Sequence, residues 1–178
     1  MKMTIRTRSM TGLLLAGLTL TLASAEAAGR LRAGGVHANP DGGVSAGMVA
    51  VGRGPNGGAY QRGRALTTDG QGNAQAASGG RFRTASGATG WRKSDTQRSA
   101  DGSVSHEGAF ATSGAKGNVQ SSGNYNKAAD GTVSGSRNTT ATGANGNSYT
   151  GSTQYDSANG VTHTGTCTDA AGNVISCR

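Results

Sequence analysis

The sequence predicts an all-β chain: about ten short strands in hairpin succession, forming an antiparallel meander or a β-solenoid of roughly 29-residue, two-strand units. Three observations predict it. Residues 101–129 and 130–158 are two copies of a 29-residue unit, with the start of a third at Asn159. Between the Gly-rich breaks, side chains alternate with period 2, which is the signature of strand. Hydrophobic residues are 33% and aromatics 4% of 178 residues, while 32 are Gly, too little side-chain volume for a thick core. A repeat of this length is one supersecondary unit that cannot bury its own apolar side, so neighbours must stack.

Taken in order, residues 1–27 read as a secretory signal peptide. Lys2, Arg6 and Arg8 precede an apolar run over 10–22, then Ala23-Ser-Ala25 and Ala25-Glu-Ala27 offer small-residue cleavage sites. That run is shorter than the roughly 20 residues of a spanning helix, and no membrane-spanning segment is expected after cleavage. The address is export, to the periplasm, the cell surface or the extracellular space. Residues 28–40, rich in Gly and Arg and without a period, predict a flexible, low-complexity lead.

The repeat proper begins with Asp41-Gly42. Asp41, Asp69, Asp101, Asp130 and Asn159 recur at spacings of 28, 32, 29 and 29. Residues 41–100 are thus basic, drifted copies and residues 101–178 regular ones. Among the regular copies, the apolar side of the strands is expected to hold Val104, His106, Gly108 and Phe110, then Val119, Ser121, Gly123 and Tyr125, and so on to Val161, His163, Gly165 and Cys167. The opposite side holds almost only Ser, Thr, Asn and Gln, ending in the run Thr162, Thr164, Thr166 and Thr168.

Ala100-Asp-Gly102, Ala129-Asp-Gly131, Ala144-Asn-Gly146 and Ala158-Asn-Gly160 each fit a three-residue hairpin loop, a type I turn followed by a left-handed Gly. That geometry sets Val133 opposite Lys127 and Gly135 between Tyr125 and Tyr155, where the rings could cover the glycine. Cys167 and Cys177 flank Ala170-Ala-Gly-Asn173, which places them across a terminal hairpin. A disulfide capping the array is expected, stabilising by less than the roughly 3 kcal/mol of a 15-residue loop.

Chemistry is sparse. His37, His106 and His163 sit at unrelated repeat positions, and the recurring Asp residues serve turns, so no catalytic constellation forms and the chain reads as no enzyme. A metal site of His163, Cys167 and Cys177 lacks a second ligand pair, and neither metal nor cofactor is expected. The charge is lopsided. Without residues 1–27 there are fourteen Lys and Arg against eight Asp and Glu, and residues 28–98 alone carry ten against three. Arg53, Arg62, Arg64, Arg81, Phe82, Arg83, Trp91, Arg92 and Lys93 interleave cations with aromatics, a composition suited to polyanions. A polyanion- or glycan-binding module, taking lipopolysaccharide, exopolysaccharide or extracellular DNA, is therefore one functional reading.

Gly72-Asn-Ala, Gly117-Asn-Val, Gly146-Asn-Ser and Gly172-Asn-Val resemble the Gly-Asn turns of curli-type secreted fibre subunits, themselves Ser-, Asn-, Gln- and Gly-rich β-repeat proteins. Tyr155-Asp-Ser-Ala-Asn-Gly-Val and Asp169-Ala-Ala-Gly-Asn-Val are similar to RHS-type tyrosine-aspartate repeats. The first resemblance implies a fibre or matrix role, and neither transfers a functional residue. The leading expectation is an exported bacterial structural protein of the cell surface or extracellular matrix that associates with itself, since rows of Asn, Gln, Ser and Thr can ladder against copies of themselves.

Overall fold

The computed structural model describes residues 28–177; the predicted leader lies outside them. The described chain is a single antiparallel sheet of eleven strands whose spatial order is their sequence order, which decides for the meander between the two forms the sequence leaves open. The strands are β1 Gly29–Ala38, β2 Val44–Arg53, β3 Ala59–Thr68, β4 Ala74–Arg83, β5 Thr89–Arg98 and β6 Val104–Gly114 in the basic half and its boundary. They continue as β7 Gly117–Lys127, β8 Val133–Gly143, β9 Ser148–Asp156, β10 Gly160–Thr168 and a two-residue β11, Val174–Ile175. No helix among the described residues is long and apolar enough to cross a membrane.

Residues 28–40, read above as a flexible lead, instead supply the first strand: β1 pairs with β2 from Gly29↔Arg53 to Ala38↔Val44. The reason lies in Pro40-Asp41-Gly42, which closes the same loop as the later breaks, with Asn39 N donating to Gly43 O at 2.8 Å and Gly42 N to Asn39 O at 3.1 Å. The array therefore starts one strand upstream of its first Asp-Gly.

That loop recurs. Gly42, Gly57, Gly87, Gly102, Gly131, Gly146 and Gly172 each end a three-residue loop with φ between 81° and 89°, a left-handed conformation that costs other residues about 1–2 kcal/mol. Gly72 ends a further loop, at 96°. Two turns differ in length or position. Gly114 pairs directly with Gly117 around Ala115-Lys116. Asp156 pairs with Gly160, so the loop is Ser157-Ala158-Asn159 rather than Ala158-Asn-Gly160. The Asp156 carboxylate explains the shift, accepting bonds from the amides of Ala158 at 2.8 Å and Asn159 at 3.1 Å. Side-chain parity survives, with Val161 opposite Tyr155.

The turn aspartates act on backbone geometry. Asp101 accepts from the Ser103 amide at 2.8 Å and Asp130 from the Thr132 amide at 2.9 Å, while Asp69 and Asp169 each hold the amides of the second and fourth residues after them. These bonds hold all four carboxyls below the ordinary carboxylate range. The leading cause is the Asn73 side chain for Asp69, the Ser103 side chain for Asp101, the Thr132 amide for Asp130 and the Asn173 side chain for Asp169. A pKa lowered by folding stabilises the fold above the unfolded value, and the gain is lost as pH falls through the folded value. Far-UV circular dichroism should therefore show the turns loosening below about pH 4. The Asp101→Asn and Asp130→Asn double variant, which keeps an acceptor at both caps, should match the parent at pH 7 and titrate less steeply in acid.

The register agrees with the alternation read from the sequence. Lys127 faces Val133, and Gly135 lies between Tyr125 and Tyr155. The front face carries Val104, His106, Gly108 and Phe110 through to Val161, His163, Gly165 and Cys167, as predicted; the back face of β7 to β10 is Ser, Thr, Asn and Gln with Asp156 and Gly160. Glycines aside, Ala50 and Ser121 are the buried residues of the described chain, at 1% and 2% exposure. Ser121 is satisfied there by Asn138 O at 3.1 Å and Thr139 Oγ1 at 2.8 Å. One layer thus replaces a core, and cohesion comes from the hydrogen-bond ladder and cross-strand side-chain pairs. The Cys167–Cys177 disulfide, with Cα atoms 5.4 Å apart, closes the terminal hairpin around β11.

Candidate functional site

Strand parity sorts the basic-aromatic segment. On the front face stand Arg62 and Arg64 with Tyr60 on β3, Phe82 on β4 and Arg92 on β5; on the back face stand Arg53, Arg81, Arg83, Trp91 and Lys93. The segment that looks like one cluster in the sequence is two half-clusters separated by the thickness of the sheet. Arg81 and Arg83 flank Phe82 in the chain yet belong to the opposite face, although at the strand ends Arg53 and Arg83 line one open depression with Arg30, Tyr60 and Phe82.

The front half gains residues that the sequence reading does not include. β1 brings Arg30 and Arg32, β5 adds Arg98, and further along the sheet come Lys127 and Arg137. The front face of the strands then holds eight cations and no carboxylate, whereas Asp95, Glu107 and Asp156, the strand acids, are all on the back among four cations. The signal is present in the 30-residue spacing of Arg32, Arg62 and Arg92. Register places those three in one row: Arg32 faces Ala50, Ala50 faces Arg62, Arg62 faces Gly80, Gly80 faces Arg92, and Arg92 faces Phe110. A guanidinium stem therefore rises from every second strand, about 9.5 Å apart, with a small residue between.

Aromatic rings lie beside this row. Tyr60 and Phe82 are directly opposite one another, and each covers a glycine on its other neighbour: a methyl on Gly52 would lie 2.5 Å from Tyr60 Cε1, and one on Gly90 would lie 2.5 Å from Phe82 Cε1. The Arg62 guanidinium sits 5.9 Å from the Tyr60 ring centroid. Ring-over-glycine packing is expected from the sequence at Gly135, and there it is not found. The space above Gly135 is closed by Asn124 O, 2.7 Å from a methyl placed there, while Tyr125 and Tyr155 line a shallow depression with Gly108, Gly123 and Arg137.

Comparison with protein-family models, curated proteins and solved structures finds no match. The chemistry of this surface is accordingly read from its own residues.

On the back face, Arg81 and Lys93 have polar company. Arg81 donates from Nε and Nη2 to Gln61 Oε1 at 3.1 and 2.9 Å, and Asp95 lies two residues from Lys93 on the same face. The histidines of β6 and β10 are taken up in cross-strand pairs. His106 Nδ1 bonds Thr96 Oγ1 at 2.7 Å, and His163 Nδ1 bonds Thr153 Oγ1 at 2.8 Å. Cys167 and Cys177 are consumed by their disulfide, so neither offers a thiolate to a metal.

Proposed function

We propose that the protein is an exported, non-catalytic structural component of the bacterial cell surface or extracellular matrix that associates with copies of itself. The observation that carries this reading is the pair of open sheet edges. Among the described residues, β1 is exposed at all ten positions, and β11 covers β10 only at Cys167 and Thr168, leaving residues 160–166 without an outer partner. Free edges of this length are templates for strand addition. Directions alternate along the meander, so β10 of one copy meets β1 of the next antiparallel, and the joint continues the existing pattern. Such a contact joins unlike surfaces, and it propagates as a fibre when its rotation does not close a ring.

The edge can be blocked without unfolding the strand. Asn39 N donates to Gly43 O, and bonded pairs recur every second residue, so the amides of Arg30, Arg32, Gly34, Val36 and Ala38 point away from β2. Val36→Pro removes one outward donor and leaves the ladder to β2 intact. The oxidised chain from residue 28 onward is expected to form fibrils with cross-β diffraction and dye binding over days, and Val36→Pro to slow their growth at least about tenfold with its β spectrum kept. A parent that stays monomeric throughout ends the reading.

A further inference from the structure

We propose that the front face of β1 to β6 binds an extended acidic polysaccharide bearing one carboxylate per two sugars, laid across the strands along the row Arg32, Arg62 and Arg92. This goes beyond self-association, because edge-to-edge joining leaves the face uncovered and the site lies within one copy.

Charge chooses the class of ligand. The front face of the strands holds cations and no carboxylate, so a polyanion meets no like-charge opponent there, whereas the back face mixes both signs. Spacing narrows the class. The three guanidinium stems stand two strands apart, about 9.5 Å, along a straight line perpendicular to the strands. An extended sugar chain with an acid on alternate residues presents charge at wide, regular intervals of that kind. A nucleic acid strand places its phosphates more closely, about 3.4 Å of axis apiece in a duplex. A single strand would also want a continuous aromatic platform, and Trp91 points to the other side.

Shape agrees with charge. Ala50 and Gly80 separate the arginines, and the neighbouring row, Met48 and Arg64 on β2 and β3, falls to Ser78, Ser94, Gly108 and Gly123 from β4 onward, so small residues floor the sheet over β4 to β7. Tyr60 and Phe82 border the arginine row on one side, held flat by the glycines beneath them. Phe82 offers its outer π face to the C–H groups of a pyranose, and Arg62 over Tyr60 is already positioned to pair with an acid on that sugar. The polymer would enter with its acids toward the arginines and one sugar face toward the rings.

The test uses freshly prepared Val36→Pro chain, titrated before its slowed assembly contributes, and hyaluronan oligosaccharides, which carry one carboxylate per disaccharide, by calorimetry at low salt. Arg32→Ser, Arg62→Ser and Arg92→Ser together are expected to weaken binding about tenfold or more. Arg53→Ser, Arg81→Ser and Arg83→Ser remove the same charge from the back face and are expected to change it less than about twofold. Equal losses from the two triples would mean attraction by net charge alone and overturn the proposal. Tighter binding of a single-stranded oligonucleotide or of lipopolysaccharide than of hyaluronan, lost with the front triple, would overturn the ligand class. If the front triple loses its β spectrum, the three single substitutions are read instead, each expected to lose about two- to threefold, and no loss from any of them also overturns it. Binding measured in the Val36→Pro chain before any fibril appears separates this result from the fate of the assembly reading.

Discussion

Gly123→Val is expected to melt the middle of the sheet. A methyl on Gly123 would lie 2.5 Å from Ser136 O and 3.2 Å from Arg137 Cα, both backbone atoms of the adjoining strand, and neither can move without breaking the β7–β8 ladder. Even Gly123→Ala should cost about 1–3 kcal/mol, the usual range for overpacking, and valine more. Gly108 is the control, since it stands directly opposite Gly123 and a methyl there meets nothing closer than His106 Nε2 at 3.5 Å. Gly108→Ala should be neutral or gain a few tenths of a kcal/mol from a stiffer unfolded chain. Denaturant melts of the two alanine variants with Val36→Pro in the background decide the matter, and equal midpoints would show the strand spacing to be softer than described.

The second large effect concerns how the sheet comes apart. Every strand touches only its neighbours in sequence, so stability is a chain of pairwise terms with no core to couple the ends. Amide hydrogen exchange should accordingly be slowest in β5 to β8 and quicken toward β1 and β10, with unfolding in denaturant broad rather than all-or-none. A chain shortened by residues 28–58, which removes β1 and β2, should keep the strand signal of the remainder. Uniform protection and one sharp transition would contradict this account and point to packing between layers.

Most of the architecture is legible because two signals coincide. Val, Tyr and Phe alternate with Ser, Thr and Asn from Val104 onward, and loops ending in Gly fix how each strand meets the next, so the pairing of Tyr125, Gly135 and Tyr155 follows from counting. Where either signal thins, the reading fails. β1 escapes it because Gly34 and Gly35 interrupt the alternation, although Pro40-Asp41-Gly42 already marks the strand's end. The loop after Asp156 slips because a carboxylate ahead of it caps the turn. Which glycine a ring covers depends on the tyrosine rotamer and on backbone carbonyls such as Asn124 O, neither of which spacing encodes.

The binding face is half legible for a different reason. Proximity in sequence gathers Arg81, Phe82 and Arg83 into one motif, while pleating sends neighbours to opposite sides. Carrying the parity of Val104 and His106 back through β5 to β1 separates them and brings Arg32, Arg62 and Arg92 into line. Cations that crowd the first half of the chain are sorted by side once the strands form.

The two-strand module has a consequence for growth of the molecule by duplication. Because a 29-residue copy such as residues 130–158 leaves the chain on the same margin, heading the same way and with the same parity as it entered, an additional copy lengthens the ribbon by about 9.5 Å and alters neither terminus. Span is in this sense an adjustable dimension of the design, set by how many modules the gene carries.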